Sequence, residues 1–263
     1  MSDKEWEGWN SPGDNNQLYV DVCSQAAVDD DVFAKFKSIE AYTNVLEHVS
    51  KDQGIWYLET ILEMTNDLNA NLEEFKENDK YGNPAILGDY PEIGVISPTT
   101  LRYIKNTFDM ASLVGETPLS RIVEVGGGYG GLCRVLSKVC EFDEYIMIDL
   151  PEVSALQRKY IDQFPDIKDK VKCVSTNDFG QITDVDLFIS NYALSECDLK
   201  SQMAYYDMII ANAKYVYLIY NLVNFNDFHY NDFIDKIKEH FTFDTGRDYE
   251  NTVILATRKD ESN

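Results

Sequence analysis

Arg121-Ile122-Val123-Glu124-Val125-Gly126-Gly127-Gly128-Tyr129-Gly130-Gly131 reads as a buried strand that ends in a glycine-rich turn and runs directly into a helix. Glycine is required where the backbone turns with positive φ and where a ligand must approach with no Cβ in the way. The next strand, Glu144-Tyr145-Ile146-Met147-Ile148-Asp149, closes on an acid. Strand, turn, helix start and following acid together form a nucleotide-binding corner.

Two cofactors fit this corner. Gly126, Gly128 and Gly131 satisfy G-x-G-x-x-G, the dinucleotide fingerprint. Gly126, Gly128 and Gly130, with Glu124 two residues ahead, satisfy the E/D-x-G-x-G-x-G pattern of class I S-adenosylmethionine (SAM) methyltransferases. Five glycines in six positions leave the glycine count undiagnostic. Glu124 favours SAM, because a carboxylate there can accept from the ammonium of a methionine moiety, whereas a pyrophosphate calls for backbone N–H groups. Asp149 lies about 20 residues beyond the glycines, where an acid binds ribose hydroxyls in either case. Roughly 120 residues precede the fingerprint and a single sheet's worth follows, leaving no further substrate domain of the kind a dehydrogenase needs.

From Ser120 the chain alternates strand and helix. Strands are expected at 121–125, 144–149, 171–174, 185–190 and 215–220, and helices at 129–140, 151–164, 199–213 and 232–241. Two last strands, 242–244 and 252–257, read as a hairpin turning at Gly246. This predicts an α/β, Rossmann-like fold with a mostly parallel seven-stranded sheet and an antiparallel C-terminal strand. Ligands of such sheets bind beyond the carboxyl ends of the strands. The preceding residues, 1–118, form an expected helical cap that builds the acceptor site, and 119–263 the SAM-binding domain. Within the cap, a polar arm through about Asp31 docks by Trp6 and Trp9, Gly54 breaks the helical run from Val32 to Phe75, and Ser97-Pro98 opens a helix.

Of the 263 residues, 44% are hydrophobic and 13% aromatic, enough for a sizeable core. The net charge of −23 disfavours nucleic acid and anionic membrane surfaces as partners; a neutral sugar is compatible with it. Five scattered cysteines with no C-x-x-C pair point to reduced thiols and a cytoplasmic setting. Neither a signal peptide nor a membrane-spanning run is apparent. The many acids show no spacing that singles out a metal set, so a divalent metal remains open.

In its ordered motifs the chain resembles the sugar O-methyltransferases, a class I SAM-dependent group found around glycan biosynthesis. The resemblance runs from about Phe33 to Tyr220. It rests on Glu47-His48-Val49-Ser50 with Gly54 and Tyr57, on Asn78-Asp79-Lys80-Tyr81-Gly82-Asn83-Pro84, and on Ser97-Pro98-Thr99-Thr100-Leu101-Arg102-Tyr103. It continues through the glycine stretch, Ile148-Asp149-Leu150-Pro151-Glu152-Val153 and Ser190-Asn191-Tyr192-Ala193-Leu194-Ser195-Glu196. It implies methyl transfer from SAM to a sugar hydroxyl, with a 6-deoxyhexose such as rhamnose as one acceptor. Such domains stand alone or are fused to glycosyltransferases.

Transfer to a hydroxyl needs in-line positioning and a base for the departing proton. Base candidates are His229 and Glu196, which follow strands, and His48 and Asp79 in the cap. Expected cofactor contacts are Glu124, Gly126, Gly127, Gly128, Tyr129, Asp149, Leu150, Asp178, Phe179 and Asn191; expected acceptor contacts are Tyr81, Arg102, Tyr103 and Tyr192. Each has a plainer reading, as a cap, salt bridge or core side chain. Two other functions stay open: an NAD-dependent sugar oxidoreductase, against which stands the lack of Tyr-x-x-x-Lys after the fourth strand, and a non-catalytic glycan-binding module.

Overall fold

The computed structural model describes residues 16–221 and 230–259. Seven strands form the central sheet: β3 (Leu119–Val125), β4 (Phe142–Asp149), β5 (Val171–Ser175), β6 (Val185–Asn191), β7 (Ala213–Tyr220), β8 (Phe241–Asp248) and β9 (Asn251–Arg258). Their order is β5-β4-β3-β6-β7-β9-β8, with β9 antiparallel to both its neighbours and the first five strands parallel. This is the expected Rossmann-like fold, a mostly parallel seven-stranded sheet with an antiparallel C-terminal strand. β3 is buried on both faces: Ile122 joins one apolar cluster, Val123 and Val125 the other. A parallel strand covered by helices on both sides needs that unbroken apolar run.

On the sheet, α7 (Gly131–Leu136) and α8 (Pro151–Ile161) follow β3 and β4. The short α9 (Ala193–Glu196) and α10 (Leu199–Met208) follow β6, and α11 (Tyr230–His240) precedes β8. The cap comprises α1 (Gln17–Val28), α2 (Asp30–Phe33), α3 (Glu40–Thr43), α4 (Lys51–Met64), α5 (Leu72–Lys76) and α6 (Pro98–Val114), with a small antiparallel ladder of β1 (Gly88–Tyr90) and β2 (Gly94–Ile96). One apolar cluster runs from Tyr19 through the cap into Val253 of β9, so cap and sheet share a core. α6 is its pillar. Ser97 caps it by accepting from the Thr99 N–H, Pro98 opens it, and every residue from Pro98 to Thr107 is buried.

Several boundaries differ from the sequence expectation. Gln17–Val28 is a helix capped by the Asn16 side chain rather than part of a polar arm; Trp6 and Trp9 lie outside the described residues. Gly54 does not break a helix. It sits in the first turn of α4, which Ser50 and Gln53 start with a capping box, and its missing Cβ leaves room for the Tyr90 hydroxyl. The helix after the glycines spans only Gly131–Leu136, so Cys140 lies past its end. Ala213 begins β7 instead of ending a helix. The final hairpin turns at Tyr249–Glu250, with Tyr249 at φ 55°, while Gly246 stays paired inside β8. The two-residue turn lets both strands run to eight residues, which the short apolar patches in the sequence did not reveal. No helix among the described residues is long and apolar enough to cross a membrane.

Candidate active site

The glycine loop adopts the backbone that its composition demands. Gly126, Gly128 and Gly130 have φ of 79°, 56° and 95°, a region costly for residues with a Cβ. Close packing adds a second constraint. A Cβ on Gly126 would collide with Ala193, and one on Gly128 would meet Leu46 Cδ1 at 2.8 Å. Gly131 lies against the Tyr103 ring, 2.6 Å from where its Cβ would be. Three remote segments therefore close on one loop: Leu46 before α4, Tyr103 on α6 and Ala193 after β6.

Asp149 ends β4 and steadies the loop. Its Oδ2 accepts from the Gly128 N–H at 3.2 Å and from Gln157 Nε2 at 3.1 Å, and its Oδ1 from the Leu150 N–H at 2.9 Å. Glu124 is 1% exposed and lies beneath Gly127, with the Tyr145 hydroxyl donating to its Oε2 at 2.8 Å. Burial pushes the Glu124 carboxyl up to about 7; the Tyr145 hydrogen bond opposes the rise and the Asp149 charge adds to it. The Tyr129 backbone belongs to the loop, but its side chain is fully buried against Tyr160, Phe36 and Tyr103, with the Lys37 ammonium 4.0 Å from its ring centre. Asn191 ends β6, and its buried Oδ1 has no hydrogen-bond partner among the described residues. Past β5, Asp178 is exposed, while Phe179 is half-buried and stacks on Tyr205 of α10 at 5.5 Å.

Tyr192, the residue after β6, has φ 69° and ψ −44°. Such a conformation in a tyrosine is strained and persists only when its surroundings over-determine it. Here they do. Its N–H donates to Ile219 O, its carbonyl accepts from Ser195 Oγ at 2.6 Å and from the Glu196 N–H, and its hydroxyl donates to Asp248 Oδ2. Asp248, at the end of β8, is fully buried and also receives the Tyr57 hydroxyl at 3.2 Å. Nothing in the sequence distinguished Asp248 or Tyr57's role toward it; the link exists only once the hairpin folds back on α4.

The candidate bases and acceptor contacts separate into groups. His48, exposed at the end of the segment that carries Leu46, lies within electrostatic reach of Arg102, whose guanidinium is 5.4 Å from the Tyr192 ring centre and 5.7 Å from that of Tyr103. Partial desolvation, then the Arg102 charge, lower the His48 pKa, so the imidazole is neutral at pH 7. Glu196 is half-buried and accepts from Asn221 Nδ2 at 2.9 Å; burial raises its pKa and that hydrogen bond opposes the rise. Ser195 bridges to the same Asn221. The Tyr192 backbone joins the His48–Arg102 group to the Glu196–Asn221 group.

Asp79 and Tyr81 belong to neither. Asp79 ties its loop to the start of α6, accepting from the Ser97 N–H at 2.7 Å and Thr100 Oγ1 at 2.6 Å, so both its oxygens are engaged in a cap. Tyr81 packs edge-on against Tyr160 and Phe164, at the far end of α8 from Asp149. His229 lies outside the described residues. Among the described residues no group of three or more His, Cys, Asp or Glu is arranged to hold a metal ion.

No sequence-family profile and no curated protein matches the chain. Solved structures similar to it include a SAM-dependent methyltransferase from Aquifex aeolicus, at 14% identity over 65% of this chain and 95% of that one, with a TM-score of 0.47. Magnesium protoporphyrin IX methyltransferase from Synechocystis PCC 6803, solved with bound SAM, is 16% identical over 61% of this chain and 81% of that one, with a TM-score of 0.47. An O-methyltransferase family protein from Burkholderia thailandensis is 14% identical over 62% and 61%, with a TM-score of 0.46.

Proposed function

We propose that the chain is a SAM-dependent O-methyltransferase whose acceptor is a sugar hydroxyl. The observation that carries the reading is the closure of Leu46, Tyr103 and Ala193 on the glycine loop. It puts the nucleotide-binding corner and the His48–Arg102–Tyr192 group at one mouth. The residues present fit the cofactor. Asp149 offers a carboxylate for ribose hydroxyls at the end of β4, and Asn191 Oδ1 is a buried acceptor awaiting a donor. The sheet order with its antiparallel β9 favours this reading over the oxidoreductase. The sugar as acceptor is supported by the resemblance in sequence motifs.

When bound, the cofactor supplies an activated methyl group, so the protein needs no covalent intermediate. What remains is positioning and one proton. Neutral His48 Nδ1 or Nε2 can take the acceptor's hydroxyl proton at pH 7, and Arg102 beside it opposes retention of the proton. Glu196, fixed by Asn221, is a second group able to accept a proton or bind a hydroxyl. In this reading residues 1–118 form the acceptor-binding cap, and Phe179 and Asp178 flank the adenine.

The test is calorimetric titration with S-adenosylhomocysteine and, separately, with NADH. Micromolar binding of the first alone is the expected result. Binding of NADH alone overturns the reading in favour of the oxidoreductase. A screen of deoxyhexose glycans with labelled SAM then tests the acceptor class.

A further inference from the structure

One buried charge at the mouth has no opposite charge beside it. Arg102 is 7% exposed. Its guanidinium lies over the Tyr103 and Tyr192 rings and hydrogen-bonds with both side chains. Among the described residues no carboxylate forms an ion pair with it, although two other buried cations, Lys105 and Arg134, each have one. Glu47 and Asp248 are the carboxylates that feel its charge, from beyond ion-pair distance. Arginine stays protonated in proteins and offers five donors in a planar fork suited to a carboxylate. Burying that fork among neutral phenols leaves the charge without a paired carboxylate, a costly arrangement unless a ligand completes it.

The surroundings say where that ligand lies. Tyr103, next to Arg102, abuts Gly131; Tyr192, under the guanidinium, precedes the Ala193 that abuts Gly126; Leu46, two residues from His48, abuts Gly128. The guanidinium thus lies against two tyrosines, of which Tyr103 itself closes on Gly131 and Tyr192 leads into the Ala193 that closes on Gly126. We propose that Arg102 is the carboxylate-binding residue of this mouth, taking the α-carboxylate at the methionine end of the cofactor or a carboxylate carried by the acceptor. The proposal rests on the methyltransferase reading for the first source and only on the geometry of the mouth for the second. Asp248 acts through Tyr192, which it fixes under the guanidinium.

The experiment compares ligands on the unaltered protein and on two variants. SAM and decarboxylated SAM differ at the carboxylate alone and are titrated calorimetrically against the wild-type chain, Arg102→Gln and Arg102→Lys. If the cofactor is the source, the wild type prefers SAM by roughly 30-fold or more, the loss expected for a buried charged partner. Arg102→Gln then binds both compounds equally, and Arg102→Lys lies between. The wild-type comparison holds even if a variant does not fold. A second arm titrates glucuronate and glucose onto the chain saturated with S-adenosylhomocysteine. Discrimination for glucuronate that disappears in Arg102→Gln assigns the carboxylate to the acceptor. Equal wild-type affinities within both pairs overturn the proposal. If no adenosyl compound binds the wild type, the methyltransferase reading fails, and glucuronate against glucose on the ligand-free chain decides the carboxylate proposal by itself.

Discussion

The glycine corner and the side of the cap that faces it are assembled in contrasting ways. The corner occupies one short run from Glu124 to Asp149, in which strand, turn and acid follow each other in sequence. The facing side draws Leu46 and His48 from before α4, Arg102 from α6, Tyr192 from beyond β6 and Asp248 from the C-terminal hairpin. The corner is held by local sterics, positive φ and one carboxylate on a backbone N–H. The facing side is held by long-range packing and by hydroxyls gathered on a single buried carboxylate. A change in the corner should therefore act on cofactor affinity, and a change opposite it on turnover and stability.

The largest expected effect tests that division directly. His48→Ala is expected to leave S-adenosylhomocysteine affinity unchanged while lowering turnover about 10²–10⁴-fold, the span of a general base. Glu196→Ala is the control in the neighbouring group, with the same readouts against an acceptor found in the glycan screen. If His48→Ala retains full turnover and Glu196→Ala does not, the base belongs to the β6 exit. The complementary change is Asp149→Ala. It removes the acceptor for the Gly128 N–H and the expected partner of the ribose, so affinity should fall about 100-fold by calorimetry. Unchanged affinity would place the cofactor elsewhere.

The same contrast explains what could be read from the sequence. The sheet, its seventh strand and the glycine corner were legible because their signals are local: short continuous apolar runs, glycines where φ is positive, an acid closing a strand. Gly54 misled, because a glycine made necessary by the approach of Tyr90 looks like a helix breaker when the partner is 36 residues away in the chain. Asp79 and Tyr81 were drawn to the site by motif and residue type, yet a hydrogen-bonded cap and an edge-packed ring use the same residues. Asp248 carried no signal at all. A lone acid before a hairpin turn looks solvated until α4 and the β6 exit bring it two hydroxyls.

pH offers a way to sharpen the description of the corner. The Glu124 carboxyl titrates at about 7 in the folded chain, against 4.5 for an ordinary glutamate. A raised carboxyl pKa means that the folded state binds more protons than the unfolded one between these values. Its contribution to stability is then fully present below pH 4.5 and is lost as pH rises through 7. The change across this window is of order 3 kcal/mol for a buried carboxyl. Glu124→Gln, which is neutral throughout, should flatten the fall in melting temperature between pH 5 and 8. A variant with the same slope as the wild type would assign the titration to another group.

The smallest effect probes the facing side without touching the mouth. Tyr57→Phe removes one of the two hydroxyls on Asp248 Oδ2 and nothing else. The Asp248 Oδ1 already has no partner among the described residues, so the carboxylate cannot recover the lost bond within the protein. A net cost of about 1–2 kcal/mol follows for a buried carboxylate losing a donor. Tyr192→Phe removes the other hydroxyl, but it also frees a ring that lies under Arg102 and whose backbone is held at φ 69°. Both variants should lower the unfolding free energy in urea by similar amounts, while only Tyr192→Phe changes turnover. Equal turnover losses would mean that Asp248 acts on the mouth through α4 as well as through the β6 exit, and the corner would then face one continuous hydrogen-bonded unit instead of two independent supports.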